Sequence, residues 1–124
     1  MVRNSLSYKL LHADDPSIEV MYGVFAKIRR ALGTTAFGVN ELRVPPNAEG
    51  KAHDETETGH EELYCGISGS ATFIIDGENV AFAEGDYLLV SPDSTRQVIG
   101  GADGVRFVVI GAKTKPEYDG RPIF

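Results

Sequence analysis

Apolar positions change period along the chain. Between Val24 and Leu32, the residues Phe25, Ile28 and Leu32 recur at intervals of three and four, the spacing of one helix face. Arg29 and Arg30 stand near the end of that segment, where cations suit the helix dipole. Gly33 follows as a residue able to take a left-handed helix end. A short helix packing on a sheet is predicted there. From Thr34 onward the pattern is that of strands. Thr34 to Val44 carries β-formers and stops at Pro45-Pro46, which cannot continue a central ladder. Further strands are predicted at Glu62 to Ile67, closed by Gly69, and at Ala71 to Ile75, Glu78 to Phe82, Tyr87 to Val90, Arg96 to Ile99 and Arg106 to Ile110. Asp76-Gly77 between two such runs is a strong hairpin signal, because a type I′ turn needs positive φ at both central residues. Gly100 to Gly104 reads as a turn and residues 47–59, with no apolar run, as a loop. Near the start, Leu6, Tyr8 and Leu10 alternate, which permits an edge strand before the turn Asp14-Asp15-Pro16-Ser17. Short strands at spacings of about 8–12 residues with Gly-rich turns indicate an all-β sandwich or barrel.

Composition narrows the class. The 124 residues suffice for one domain, 1–124, with a barrel core at about 34–112, an N-terminal strand and helix segment at 1–33 and a polar tail at 113–124 expected on the surface. The 14 glycines and 6 prolines are many for a helical bundle and normal for strands joined by turns. A net charge of -6 and a pI near 5.0 argue against nucleic acid as a partner, since phosphate binding needs clustered Lys and Arg. The longest apolar run, Phe107 to Ala112, falls far short of the roughly 20 residues that span a bilayer. Without an apolar stretch of the secretory kind near Met1, the expected compartment is the cytoplasm, with no membrane association. The single cysteine, Cys65, excludes an intrachain disulfide. It lies in an apolar alternation and reads as a small hydrophobe.

The candidate chemistry lies at residues 53–62, His-Asp-Glu-Thr-Glu-Thr-Gly-His-Glu-Glu. Five of the 18 carboxylates and two of the three histidines fall there. Such a run is ordinarily a solvated loop, but carboxylates and imidazoles are also ligands for borderline metals. On the strand that follows, side chains alternate between faces. His60, Glu62, Tyr64 and Gly66 share one face, and Glu61, Leu63, Cys65 and Ile67 the other. The second set reads as the packing face. The first is either a solvent face or, in a small barrel, the interior lining, and periodicity does not choose between them.

Residues 53–90 resemble the cupin superfamily of small β-barrels. Glu62 and Gly69 keep the Glu-x6-Gly part of the first cupin motif, and Gly85-Asp86-Tyr87-Leu88-Leu89-Val90 fits the start of the second. The resemblance extends over about residues 24–112. It implies an all-β, cupin-type double-stranded β-helix (a jelly-roll barrel) with one short N-terminal helix. It also implies a homodimer, pairing through N-terminal strands to which Leu6, Tyr8 and Leu10 would lend an edge. Cupin metal sites usually take two His and one Glu from the first motif and one His from the second. Here His53 stands for the first His, Glu55 occupies the second His position, and Arg96 stands where the last His is expected. A guanidinium has no lone pair for a metal. The remaining ligand set is therefore His53, Glu55 and Glu62, with His60 as a substitute, suited to Fe(II), Mn(II) or Zn(II) with open positions.

Three readings follow. In the first, the barrel binds a small polar or anionic organic molecule without metal, through His53, His60, Glu62, Tyr64 and Arg96, with or without acid–base turnover of the isomerase, lyase or cyclase kind. Arg96 either clamps the ligand's anion or forms an internal ion pair with Glu62. In the second, a divalent metal at His53, Glu55 and Glu62 supports a dioxygenase or isomerase. In the third, Phe73, Ile75, Phe82 and Tyr87 fill a closed barrel that serves as a structural or regulatory module.

Overall fold

The computed structural model describes residues 3–4 and 7–120. In chain order the elements are β1 (Arg3–Asn4), β2 (Lys9–Leu10), β3 (Val20–Met21), β4 (Phe25–Ala26), α1 (Ile28–Leu32), β5 (Gly38–Val44), β6 (His60–Ile75), β7 (Glu78–Ala83), β8 (Tyr87–Val90) and β9 (Arg96–Lys113). Two long strands organise them. Residues 60–69 of β6 pair with 105–113 of β9, and residues 71–75 of β6 pair with 96–100 of β9, all antiparallel. On its other side β6 carries β8 along 62–65 and β7 along 70–75. β5 extends the sheet from β9, and β4 and β3 follow it. The bent ladder folds on itself, so side chains from both halves meet in one core. Tyr64 and Phe107 come from one half and Phe73 and Phe82 from the other. Their rings lie 4.9 Å (Tyr64–Phe73) to 6.0 Å (Phe82–Phe107) apart in tilted and edge-on pairs. This all-β architecture with one short helix agrees with the barrel read from the strand series.

Several elements differ from the sequence reading. The helix is shorter than Val24–Leu32, because Phe25 and Ala26 pair with Leu42 and Glu41 instead, and the Val24 carbonyl accepts the Arg43 N–H at 2.9 Å. Gly33 ends the helix at φ 74°, with Arg29 and Arg30 in the last turn. Asp76 and Gly77 both have positive φ, 49° and 85°, as the hairpin requires. The predicted turn at Gly100–Gly104 and the break at Gly69 are instead bends within continuous strands of 18 and 16 residues. Of the alternating Leu6, Tyr8 and Leu10, Leu6 lies outside the described residues; Tyr8 and Leu10 are exposed. Tail residues 114–120 have no regular structure, and 121–124 lie outside the described residues. Among the described residues no helix is long and apolar enough to cross a membrane.

The bends reverse which side chains face inward. On β9 the buried positions are Arg96, Val98 and Gly100, then Gly104 at the bend itself, then Val105, Phe107, Val109 and Gly111, even numbers before the bend and odd numbers after. On β6 Glu62 and Tyr64 face inward before the bend and Ala71 and Phe73 after it, with register shifts between Gly66 and Ser68 and between Gly69 and Ala71. A bulge of one residue does this, because side-chain direction has a period of two. The predicted packing face of Leu63, Cys65 and Ile67 is therefore the outer face of the sheet, and Ile67 is exposed. Tyr87, expected inside, points outward and is 78% exposed.

Outside the barrel, Glu41 of β5 is buried between two arginines, 2.7 Å from Arg43 Nε and 3.0 Å from Arg106 Nε. Burial alone would raise its carboxyl, but hydrogen bonds from Arg106 and Arg43 outweigh it and hold the pKa below the usual value. Arg43 also donates to the Ala13 carbonyl at 2.8 Å, tying the N-terminal segment to β5.

The bends require glycine for two separable reasons. Gly69 has φ 72°, and a Cβ there would collide with the Gly104 carbonyl; Gly77 has φ 85° with open space around it. Gly77→Ala should cost about 1 kcal/mol, the left-handed penalty alone. Gly69→Ala should cost clearly more, because the Gly69 and Gly104 backbones must separate. Urea unfolding of both variants reads the difference.

Candidate functional site

The inward face of β6 before its bend presents Glu62 and Tyr64. β9 begins at Arg96, and the loop residues Gly50 and His53 run antiparallel beside it. The Gly50 N–H donates to the Val98 carbonyl at 2.8 Å, and His53 and Arg96 exchange main-chain bonds at 3.0 and 2.8 Å. This pairing brings His53 to the strand start that carries Arg96. Between the two halves of the barrel lies a cavity of about 280 Å³. Its walls are Phe25, Leu42, Phe73, Val98, Phe107 and Val109, and its polar groups are Lys51, His53, Glu62, Tyr64, Arg96 and Gln97.

The polar groups are closely interlocked. The Tyr64 hydroxyl donates to Glu62 Oε1 at 2.7 Å. Burial, reinforced by the neighbouring Glu62 charge, raises the Tyr64 pKa well above the phenol range, so Tyr64 remains a protonated phenol. The Arg96 guanidinium is 1% exposed, and its Nε stands 3.7 Å from Glu62 Oε1. Its Nη1 donates to the Ser94 carbonyl at 2.8 Å, and its Nη2 to the carbonyls of Ser91 and Val90 at 3.0 and 3.4 Å. The buried cation is thus met by three carbonyls of the β8–β9 turn, while its Nε, facing Glu62, has no hydrogen-bond partner. At the mouth, His53 Nδ1 lies 3.1 Å from Glu55 Oε2. In the tautomer whose Nδ1–H donates to Glu55, Nε2 presents a lone pair. Glu55 is itself steadied by the Thr58 hydroxyl at 3.1 Å, and its main-chain N–H donates to the Pro92 carbonyl. Asp54 turns instead to Thr56, whose main-chain N–H and hydroxyl it accepts, and these hold its carboxyl below the usual range.

Of the residues singled out by sequence, the fold gathers His53, Glu55, Glu62, Tyr64 and Arg96 and leaves His60 apart. His60 shares strand parity with Glu62 but pairs with Lys113 at the β6 start, beyond the cavity. There it lines a separate open groove of about 1040 Å³ with Phe37, Lys113 and Tyr118. That groove carries exposed charges of both signs and none of the clustered groups above. Arg29 lines it too, donating to the Thr34 carbonyl. Sequence reasoning did not identify Phe25, Leu42, Val98, Phe107 and Val109 as cavity walls. The signal lay in β9, where Val98, Phe107 and Val109 continue the inward face of Arg96 once the bulge shifts the parity.

His53, Glu55 and Glu62 each offer a ligand atom, all within 4.8 Å of one another. Two atoms each about 2.1 Å from one ion can stand at most about 4.2 Å apart, so small side-chain rotations would bring the trio to ligating distance. The nitrogen and two carboxylates suit a divalent cation with open positions. Arg96, beside this trio, has no lone pair to offer a metal. Without a metal, the same groups can move protons: His53, oriented by Glu55, presents a base, and Glu62 hydrogen-bonded to Tyr64 presents a second acceptor.

No family model and no curated protein matches the sequence. Solved structures do match. A cupin protein from Bacteroides fragilis has 25% identity and a TM-score of 0.72, over 90% of this chain and 93% of that one. A sugar phosphate isomerase of the cupin superfamily from Silicibacter pomeroyi has 21% identity and a TM-score of 0.62, over 79% and 73%. A Thermotoga maritima protein described as a predicted oxalate decarboxylase has 17% identity and a TM-score of 0.61, over 72% and 78%. These likenesses show the double-stranded β-helix.

Removing the phenol hydroxyl in Tyr64→Phe leaves Glu62 with one donor fewer and should cost about 1.5–3 kcal/mol. Arg96→Met strands three carbonyls and Glu62 and should cost about 3–5 kcal/mol. Denaturant unfolding monitored by circular dichroism checks both magnitudes and their order.

Proposed function

We propose that this member of the cupin superfamily binds a small organic molecule inside its barrel and works on it, or senses it, through His53, Glu62 and Tyr64. The observation that carries this reading is the cavity of about 280 Å³ with apolar walls and a cluster of polar groups, the arrangement of a small-molecule site. His53 and Glu55 form a base with a fixed orientation, and Glu62 and Tyr64 form a carboxylate–phenol pair. Isomerase- or lyase-like proton transfer is chemistry these groups can perform. The structural-module reading is weaker, because Tyr87 faces outward and Phe73 and Phe82 do not fill the barrel.

A second reading is favoured by one observation, the convergence of His53, Glu55 and Glu62. A divalent metal held there would act as a Lewis acid beside the cavity, while Tyr64 and Arg96 fix Glu62 in place. Elemental analysis of untagged protein, purified without chelator, separates the two. Sub-stoichiometric metal, unchanged in His53→Ala and Glu62→Gln, is expected for the first reading. One equivalent of metal, lost in both variants, supports the second. In either case, compounds that bind the cavity should shift the amide signals of Leu42, Phe73, Val98 and Phe107 in NMR spectra, and Glu62→Gln should weaken them about tenfold.

We also propose a homodimer. Exposed Leu10 lies on β2, which pairs only with β1 among the described residues, with exposed Tyr8 just before it, and Ile67, Tyr87 and Leu89 expose a second apolar surface. Light scattering should give twice the 13.4 kDa chain mass, and a value at the chain mass would overturn the proposal.

A further inference from the structure

The Arg96 guanidinium is divided between two duties. Its Nη1 and Nη2 donate to the carbonyls of Ser94, Ser91 and Val90 and so brace the β8–β9 turn. Its Nε is buried and has no hydrogen-bond partner. Glu62 Oε1, which already accepts the Tyr64 hydroxyl at 2.7 Å, stops 3.7 Å from Nε, within ion-pair range but beyond hydrogen-bond reach. A buried donor left open in this way calls for an acceptor from outside the chain. Arg96 lines the cavity, as do Glu62 and the exposed Lys51. Two cations thus share the wall with one carboxylate, and one further negative charge would balance it. Two acceptors belong to the same wall. Among the described residues, hydrogen bonds to the Glu62 carboxylate reach only Oε1, which leaves Oε2 open. His53 Nε2 presents a lone pair in the tautomer whose Nδ1–H donates to Glu55. Gln97 Nε2, by contrast, is committed to the Gly50 carbonyl at 2.9 Å.

We propose that the cavity takes a small hydroxy acid, a monocarboxylate with an apolar body and a hydroxyl beside the carboxylate. The proposal rests on the reading of the barrel as a small-molecule site and names its ligand class. The carboxylate accepts from Arg96 Nε and pairs with the Lys51 ammonium, so that the charges of the wall and the ligand cancel. The neighbouring hydroxyl donates to one of the open acceptors, Glu62 Oε2 or His53 Nε2. The apolar body lies against Phe73, Val98, Phe107 and Val109. The bonds that brace the turn stay intact, because only Nε is called on. A phosphate dianion would carry one charge more than the wall balances. A polyhydroxylated sugar would set hydroxyls against side chains that offer them no partner.

The test uses three one-ring probes that differ in their head group. Mandelate has the carboxylate and the hydroxyl, phenylacetate the carboxylate alone, and 1-phenylethane-1,2-diol the hydroxyl without the charge. Each is titrated by NMR into the full-length protein in excess chelator. Mandelate binding at the amides of Phe73, Val98 and Phe107, at least about tenfold tighter than either of the others, is the expected result. Lys51→Met, a change at an exposed side chain, should weaken mandelate and phenylacetate and leave the diol unchanged. Arg96→Lys keeps the charge but removes the Nε hydrogen, and should cost mandelate most of its advantage over the diol. Should Arg96→Lys fail to fold, the wild-type ranking and Lys51→Met still decide. Glu62→Gln should lower mandelate affinity by about tenfold, toward that of phenylacetate. Diol binding as tight as mandelate, or phenylacetate binding as tight as mandelate, would overturn the hydroxy-acid class and leave the small-molecule site standing. Mandelate binding that appears only when Mn²⁺ replaces the chelator would overturn it in favour of the metal reading. Failure of all three probes to bind, with and without metal, would overturn the class and the small-molecule site together.

Discussion

The ladder between β6 and β9 is the constraint on which the rest of the molecule depends. Each strand is too long to lie in one flat sheet and must bend where the barrel turns back on itself. The bends bring backbone against backbone, with Gly69 packed on the Gly104 carbonyl and Gly101 against Ser70, where side chains have no room. Each bend also inserts a residue that changes strand parity. The same device therefore curves the sheet and decides which residues face inward. Without the parity change, the Glu62–Tyr64 face and the Phe73–Phe82 face would not line one interior, and the aromatic cluster would not form.

Once Glu62 and Tyr64 face inward, the interior must accommodate a charge. Arg96 answers it from the start of β9. A guanidinium buried to this degree is stable only with most of its donors matched, and the turn after β8 supplies carbonyls at 90, 91 and 94. Glu62 is thereby held by the Tyr64 hydroxyl on one side and faces the Arg96 Nε on the other. Such pre-positioning is what a binding or proton-transfer site needs. Arg96 bonds to three main-chain carbonyls and approaches Glu62 only to 3.7 Å, so most of its interaction is with the turn. The guanidinium thus acts as a brace for the turn.

What the sequence disclosed and what it hid divide along the same lines. Local chemistry was legible: the Asp76-Gly77 hairpin, the Gly33 helix end, the limits of β8 and the cupin resemblance in Glu62 to Gly69. The membership of the site was also largely legible, since His53, Glu55, Glu62, Tyr64 and Arg96 do come together. Long-range geometry was not. The helix lost Phe25 because a strand partner at Leu42 outweighed a weak local helical period. The glycines at 100–104 read as a turn because a bend and a reversal have the same composition, and only pairing distinguishes them. The packing face of β6 was assigned by counting apolar residues at Leu63, Cys65 and Ile67. The true inner face at Glu62 and Tyr64 is polar because it carries the site, a conflict between local pattern and global fold of the kind expected at functional positions. His60 was grouped with Glu62 by parity alone, although its place at the strand end keeps it outside the barrel.

The acid-rich loop shows how far a charge run can mislead or inform. Its five carboxylates form no single cluster. Asp54 caps its own turn through Thr56, and Glu57 and Glu61 are exposed. Glu55 and Glu62 are drawn into the site by different forces, Glu55 by its main-chain bond to Pro92 and its hold on His53, Glu62 by strand parity and Arg96. Of the two, only Glu62 lines the cavity, where it shares the wall with the cations Arg96 and Lys51. The convergence of His53, Glu55 and Glu62 thus follows from the backbone pairing of His53 with Arg96 rather than from the number of acids in the loop.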